Sequence, residues 1–148
     1  MDHIPSGELY YSDTHEWAHV DESLVTIGLT AFRLGQLGEI LFLDLPDEGK
    51  PVARGESFFS IESVKRIHDF ASPVTGTLVE VNQLLFENPS ILNDDPYNEG
   101  WIIRVEMDNE KDLATLVRST EYNQRISLVS KPVAPELSQF ELRKAISE

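Results

Sequence analysis

The run Glu56-Ser57-Phe58-Phe59-Ser60-Ile61-Glu62-Ser63-Val64-Lys65-Arg66 decides how this chain is read. It opens as an apolar-rich, strand-like segment and closes on a lysine. A second apolar run, Thr77-Leu78-Val79-Glu80-Val81, begins after Pro73 and Gly76. Two strand-like runs around a short polar link predict a hairpin-like corner with Lys65 near its tip. A primary amine there is exposed and within reach of a modifying enzyme. Amide formation would remove its charge and attach a long arm. Since nearly all lysines are exposed, position alone does not single it out, and the surrounding sequence has to decide.

With 148 residues, 41% of them hydrophobic and 26% charged, the chain suits one soluble domain with a real core and is short for two. The absence of cysteine excludes disulfides and thiolate metal sites, so any redox sulfur must arrive on an attached group. The first residues, Met1 to Glu8, show neither the basic and apolar segments of a secretory signal nor an Arg-rich transit pattern. No run approaches the roughly 18 apolar residues of a membrane span, and a cytoplasmic location is expected. The net charge is -14. Residues 131–148 balance Lys131, Arg143 and Lys144 against Glu136, Glu141 and Glu148, so the whole excess lies in residues 1–130. Such a surface repels phosphate backbones and suits solubility and steering toward basic protein partners.

Short runs rich in β-branched and aromatic residues recur at His15–Val20, Ser23–Gly28, Glu39–Leu45, Ser57–Val64, Thr77–Val81 and Trp101–Val105, punctuated by Gly, Pro and Asp. That rhythm predicts an antiparallel sandwich or barrel. Two segments predict short helices. In Leu29–Gly38, Thr30 is the N-cap, Gly38 the stop, and Ala31, Leu34 and Leu37 fall on one face; in Asn109–Val117 the stripe is Leu113, Leu116 and Val117. Gly38–Asp44 and Gly76–Asn82 echo one another 38 residues apart, as chance strand likeness or as a duplicated unit. Residues 124–148 look appended to a domain of residues 1–123. Ser130–Pro135 is linker-like, and Pro135–Ile146 reads as a short helix or as disorder.

Phosphate-binding glycine loops and a nucleophilic-serine elbow are missing. His15 and His19, four apart, would share one face of a strand with Trp17 between them, but no motif fixes a third ligand and no metal site is expected. His68 reads as a solvated loop histidine.

These segments together resemble the H protein of the glycine cleavage system. The match runs from about Leu9 to Tyr122. It is carried by Thr14-His15-Glu16-Trp17, Val25–Thr30, Gln36–Ile40, Leu45-Pro46 with Gly49, Ile61-Glu62-Ser63-Val64-Lys65, Ser72–Gly76, Val79–Asn82 and Asn93–Tyr97 with Gly100-Trp101. Any one of these is weak; their number, order and spacing make the resemblance specific.

The resemblance implies a mainly β barrel-sandwich hybrid of two antiparallel sheets, with short helices near 30–37 and 110–118, and lipoate in amide linkage on Lys65. Related biotinyl domains flank their lysine with methionines, whereas Val64 and Arg66 stand here, which favours lipoate. The family's carrier is not itself an enzyme. A pyridoxal-phosphate glycine decarboxylase loads an aminomethyl group onto the arm, a tetrahydrofolate-dependent aminomethyltransferase unloads it, and a dihydrolipoyl dehydrogenase reoxidises it. A lipoate ligase or lipoyltransferase attaches the arm, for which Glu62 and Gly76 are the expected recognition residues. Thr14, Glu16 and Asp69 are the expected groups that shelter the loaded arm. A monomer without nucleic-acid or membrane partners is expected. Three departures stand out: Arg66 follows the lysine where the family commonly has a small residue, His68 replaces a hydroxyl, and the C-terminal segment of residues 124–148 is extra. They leave open an H-like lipoyl relay in lipoate metabolism or another redox-linked system. An unmodified interaction module is the third possibility.

Overall fold

The computed structural model of the chain describes residues 8–130. The strands among them are β1 (Glu8–Tyr11), β2 (Glu16–Asp21), β3 (Leu24–Leu29), β4 (Ile40–Asp44), β5 (Pro51–Val52), β6 (Ser57–Ser63), β7 (Ile67–Ala71), β8 (Gly76–Val81) and β9 (Ile103–Met107). They form two antiparallel sheets, one ordered β1-β2-β3-β9-β8-β5 and the other β4-β6-β7. One core lies between them. Val25, Ile27, Leu78, Ile103 and Val105 of the larger sheet belong to the same buried cluster as Leu43, Phe59, Ile61 and Phe70 of the smaller one. Alternation sends every second strand residue inward, and each large aliphatic side chain fully buried this way contributes about 1.5–3 kcal/mol.

Helix α1 (Ala31–Leu37) forms where the spacing predicts it. The Thr30 hydroxyl accepts from the Arg33 N–H at 3.2 Å, and Ala31, Leu34 and Leu37 are buried. Gly38 ends the helix at φ +81°, a conformation that costs glycine little. The Asn93–Tyr97 segment pins α1 from outside. The Tyr97 hydroxyl accepts from the Ala31 N–H, while Asn93 accepts from the Ile40 N–H and donates to the Gly38 carbonyl. Short helices α2 (Leu84–Glu87) and α3 (Ile91–Asp94) lead into this segment.

A second buried cluster holds Leu9, Tyr11, Trp17, Ala31 and Tyr97 together with Tyr122 and Ile126 of helix α4 (Ser119–Ser130). Tyr122 stacks on Tyr11 at 4.5 Å, and its hydroxyl hydrogen-bonds with the Thr30 hydroxyl (2.7 Å) and with His15 Nδ1 (3.0 Å). Tyr122→Phe keeps the stack and loses both bonds. A cost of about 1–3 kcal/mol is expected, because buried partners are left unsatisfied. Urea unfolding measures it, and an unchanged midpoint would show that the hydroxyl does not hold α4 down.

Four expectations change. The return strand after Lys65 is Ile67–Ala71, on the same sheet as β6, whereas Thr77–Val81 belongs to β8 of the other sheet. The Asn109–Val117 helix is a six-residue 3₁₀ turn over Glu110–Thr115; Val117 instead exchanges backbone hydrogen bonds with Tyr11. His15 precedes β2 with φ +71°, so the shared-face argument for His15 and His19 does not hold. Helix α4 runs unbroken through positions 123 and 124, and buried Ile126 ties the far side of that boundary to the second cluster. The expected 123/124 boundary thus falls within a continuous helix. The Ser130–Pro135 linker extends past the described residues, and the Pro135–Ile146 helix lies outside them. The two echoing segments fall on β4 and β8, one in each sheet.

Candidate functional site

Lys65 is exposed in the Val64-Lys65-Arg66 turn between β6 and β7. Buried Ser63 shapes that turn. Its N–H and hydroxyl both donate to the Arg66 carbonyl, at 3.0 and 3.3 Å, and its hydroxyl oxygen accepts from the Lys65 N–H at 3.2 Å. The Val64 N–H donates to the Glu39 carbonyl at 3.0 Å, tying the turn to the start of β4. The turn's backbone is thus held from two sides, while the exposed lysine side chain makes a single hydrogen bond. Lys65 Nζ donates to the Gln36 carbonyl at 3.2 Å, one of the orphan carbonyls at the C-terminal end of α1, where a cation is favoured.

His68 is a strand residue rather than a loop residue, opposite Ile61. Its Nε2 is shielded from solvent and has no hydrogen-bond partner among the described residues. Burial, then the charges of Arg33, Arg66 and Lys65, lower its pKa from 6.5. Arg33 lies over the Phe70 ring at 5.4 Å and donates to the Gln36 side chain at 3.0 Å. An otherwise acidic chain therefore carries a local cationic cluster beside its hairpin turn.

Arg33 also acts electrostatically on Glu16. Glu16 is only 2% exposed. Its Oε1 accepts from the hydroxyls of Ser12 and Thr14, each at 2.6 Å, and its Oε2 is buried without a partner among the described residues. Burial pushes its pKa up from 4.5, against the pull of the two hydroxyls and of Arg33. The native state therefore keeps a proton that the unfolded chain releases. The resulting stabilisation is complete below about pH 4.5 and is lost as pH rises through the raised value. Glu16→Gln keeps an acceptor for Ser12 and Thr14 and removes the charge. Its stability relative to the parent is expected to rise between pH 4 and pH 7, read from urea midpoints at the two values. Parallel pH responses would show that Glu16 does not titrate in this range.

The expected site residues lie on several elements. Thr14 and Glu16 are joined. Asp69 stands exposed on β7, opposite Ser60, in the wall of a depression of about 310 Å³ shared with Asp44, Phe58 and Phe59. Glu62 is exposed on β6. Gly76 lies on β8, in the sheet that does not carry Lys65. A Cβ there would meet the Glu106 carbonyl oxygen at 2.0 Å, so close backbone approach, rather than a positive φ, demands glycine. Sequence reasoning passed over Ser63, Arg33 and Gln36. Ser63 carried a usable signal, a hydroxyl two residues before a turn amide. Arg33 and Gln36 carried none, because their roles depend on how α1 packs. Among the described residues, no group of three or more His, Asp or Glu is placed to hold a metal.

A family model described as glycine cleavage H-protein matches residues 9–128. The glycine cleavage system H protein of a Synechococcus species is 45% identical over 116 residues, covering 78% of this chain and 90% of the relative. That of Listeria monocytogenes is 45% identical over 115 residues, covering 78% and 92%. The crystal structure of a glycine cleavage system H protein from Mycobacterium marinum superposes with a TM-score of 0.76 at 31% identity, covering 84% of this chain and 99% of that one. The two sheets, the lysine on the β6–β7 turn and these similarities lead to one conclusion: this chain belongs to the glycine cleavage H-protein family, with its barrel-sandwich fold.

Proposed function

We propose that the chain is the lipoyl-bearing carrier of the glycine cleavage system, with lipoate in amide linkage on Lys65. The observation that carries this is the turn itself: an exposed amine whose backbone is locked by Ser63 and Glu39 while its side chain is held by one hydrogen bond. Lipoate would supply a dithiolane that takes up and releases a small amine cargo. The chain's own residues do the rest. Ser63 fixes the direction in which the arm leaves the turn. The Gln36 carbonyl accepts from the lysine nitrogen, which would keep one N–H donor toward it after amide formation. Thr14 and Glu16 offer a buried polar group with one vacant acceptor, suited to an ammonium that must be kept from water. Asp69, exposed on β7, would add a second carboxylate toward the same ammonium.

The partners follow from that role: a pyridoxal-phosphate glycine decarboxylase, a tetrahydrofolate-dependent aminomethyltransferase and a dihydrolipoyl dehydrogenase, with a ligase or lipoyltransferase attaching the arm. A fixed turn with a mobile arm gives each docked site a high effective concentration without a large permanent interface. One observation favours the relay reading: Arg33 and Arg66 place positive charge beside the path a cationic cargo would take. The discriminating experiment is glycine–bicarbonate exchange by the glycine decarboxylase of the same source, with the lipoylated protein as acceptor. Saturable exchange is expected. A lipoylated protein that supports none would exclude the glycine cleavage role and leave the relay.

A further inference from the structure

We infer that the outward face of the β4-β6-β7 sheet is the docking surface for the enzyme that acylates Lys65, an inference that rests on the lipoyl-carrier reading above. The cross-strand register places Phe42, Glu62 and Ile67 in one row immediately behind the lysine turn. Phe42 is 56% exposed and Ile67 64%, with Val64 at 55% and Leu41 at 48% extending the apolar surface around the turn. The next row along the strands, Leu43, Ile61 and His68, begins with two buried aliphatic side chains. The row beyond it, Asp44, Ser60 and Asp69, faces outward again and lines the depression of about 310 Å³. This order follows from the period-two pleat. The face is an apolar strip beside the lysine, with a carboxylate at its centre and two more behind it.

Geometry selects the occupant. To form the amide, the Lys65 ammonium loses one proton, its neutral nitrogen attacks the carbonyl carbon of an acyl adenylate, and a second proton leaves the nitrogen as the tetrahedral adduct collapses. The C–N bond forms, the acyl–phosphate bond breaks, adenylate leaves, and no electrons are exchanged. The enzyme doing this must bring its catalytic centre to bonding distance of Nζ. Enzymes working at the far end of the arm stay an arm's length from the turn. The side chains nearest Lys65 therefore meet the acylating enzyme most closely. Its active-site mouth should present an apolar lip to Phe42 and Ile67 and basic groups to Glu62, Asp44 and Asp69. The net charge of -14 favours that encounter at low salt.

The test uses the full-length unmodified chain, a purified lipoate ligase, lipoate, ATP and magnesium, with acylation followed by intact mass. Phe42→Thr and Ile67→Thr keep strand preference while removing the apolar surface. Each is expected to raise the apparent KM about five-fold, and the pair about twenty-five-fold, with kcat within about two-fold. Glu62→Gln should raise KM and flatten its dependence on salt. Val79→Thr with Leu84→Thr, exposed apolar residues outside this sheet, should change nothing. Unchanged melting curves show that the variants fold. If the parent is acylated and the Phe42 and Ile67 variants match it, this inference is wrong and the carrier reading survives. If the parent is never acylated, the carrier reading fails and takes this inference with it. Once lipoylated at high ligase concentration, the variants should serve glycine decarboxylase with the parent's KM. An equal loss there would mean a general docking face and overturn the assignment to the acylating enzyme.

Discussion

Lys65→Arg is expected to end acylation of the chain completely. Arginine keeps the positive charge and much of the reach, so the interaction with the Gln36 carbonyl can persist. It cannot supply a neutral amine, because the guanidinium stays protonated throughout the accessible pH range. The position is exposed, so melting behaviour should be unaffected. Lys50 is the internal control. It is also exposed and also in a turn, but its carbonyl accepts from the Leu78 N–H at the β5–β8 edge, away from the β6–β7 hairpin. Peptide mass spectrometry after exposure to a lipoate ligase should find every adduct on Lys65 in the parent and none in the variant. An adduct that persists in Lys65→Arg would show that the hairpin turn is not the attachment site.

Gly76→Ala should be the most destabilising conservative change in the chain. The β8–β9 ladder brings the Glu106 carbonyl oxygen to 2.0 Å from where the new methyl carbon would sit, and the Met107 Cα to 3.0 Å. Both obstacles are backbone, so no side-chain rotation relieves the clash. One or both strands must move, and Leu78 and Val105, opposite each other a little further along, lose their packing. A loss of about 3 kcal/mol or more is expected, at the upper end of overpacking costs. With about 2–4 °C per kcal/mol for a chain near this size, the melting temperature should fall by roughly 6–12 °C. This also tests Gly76 as a recognition residue for the acylating enzyme. If Gly76→Ala melts like the parent yet is acylated more slowly, recognition is its role. If it melts early and its folded fraction is acylated normally, its role is to let two strands meet.

Much of this architecture was legible because it depends on local chemistry. Thr30 and Gly38 bracket α1 through cap interactions a few residues long, and Ala31, Leu34 and Leu37 follow from the helical period alone. The apolar run from Ser57 to Ile61 gives a half-buried strand for the same kind of reason. Lys65 was legible as an exposed amine after that strand. Ile67–Ala71 was not legible as a strand. Only Phe70 is buried in it, and His68 and Asp69 make it look like a polar link. It becomes a strand because β6 offers it a hydrogen-bonding edge, a property of the partner rather than of the segment. For the same reason Gly76 looked like a turn residue beside the lysine when it is the point of closest approach in the other sheet.

Composition, spacing and motif order were enough to point to the family, the fold class, the capped helix and an exposed lysine after the Ser57–Ile61 strand run. Each depends on residues close together in the chain or on a pattern summed along it. Tertiary structure decided which strand returns from Lys65, that α4 continues past residue 123 and locks onto Tyr11 and Thr30, and that Glu16 is a buried acid with one vacant oxygen while Asp69 is an exposed one. It also assembled Arg33, Arg66 and His68 beside the turn, and aligned Phe42, Glu62 and Ile67 across three strands. Those outcomes depend on sheet register and on burial by distant residues. Burial sets the protonation of a carboxylate, and register sets which side chains share a surface. Neither quantity exists until the chain has folded.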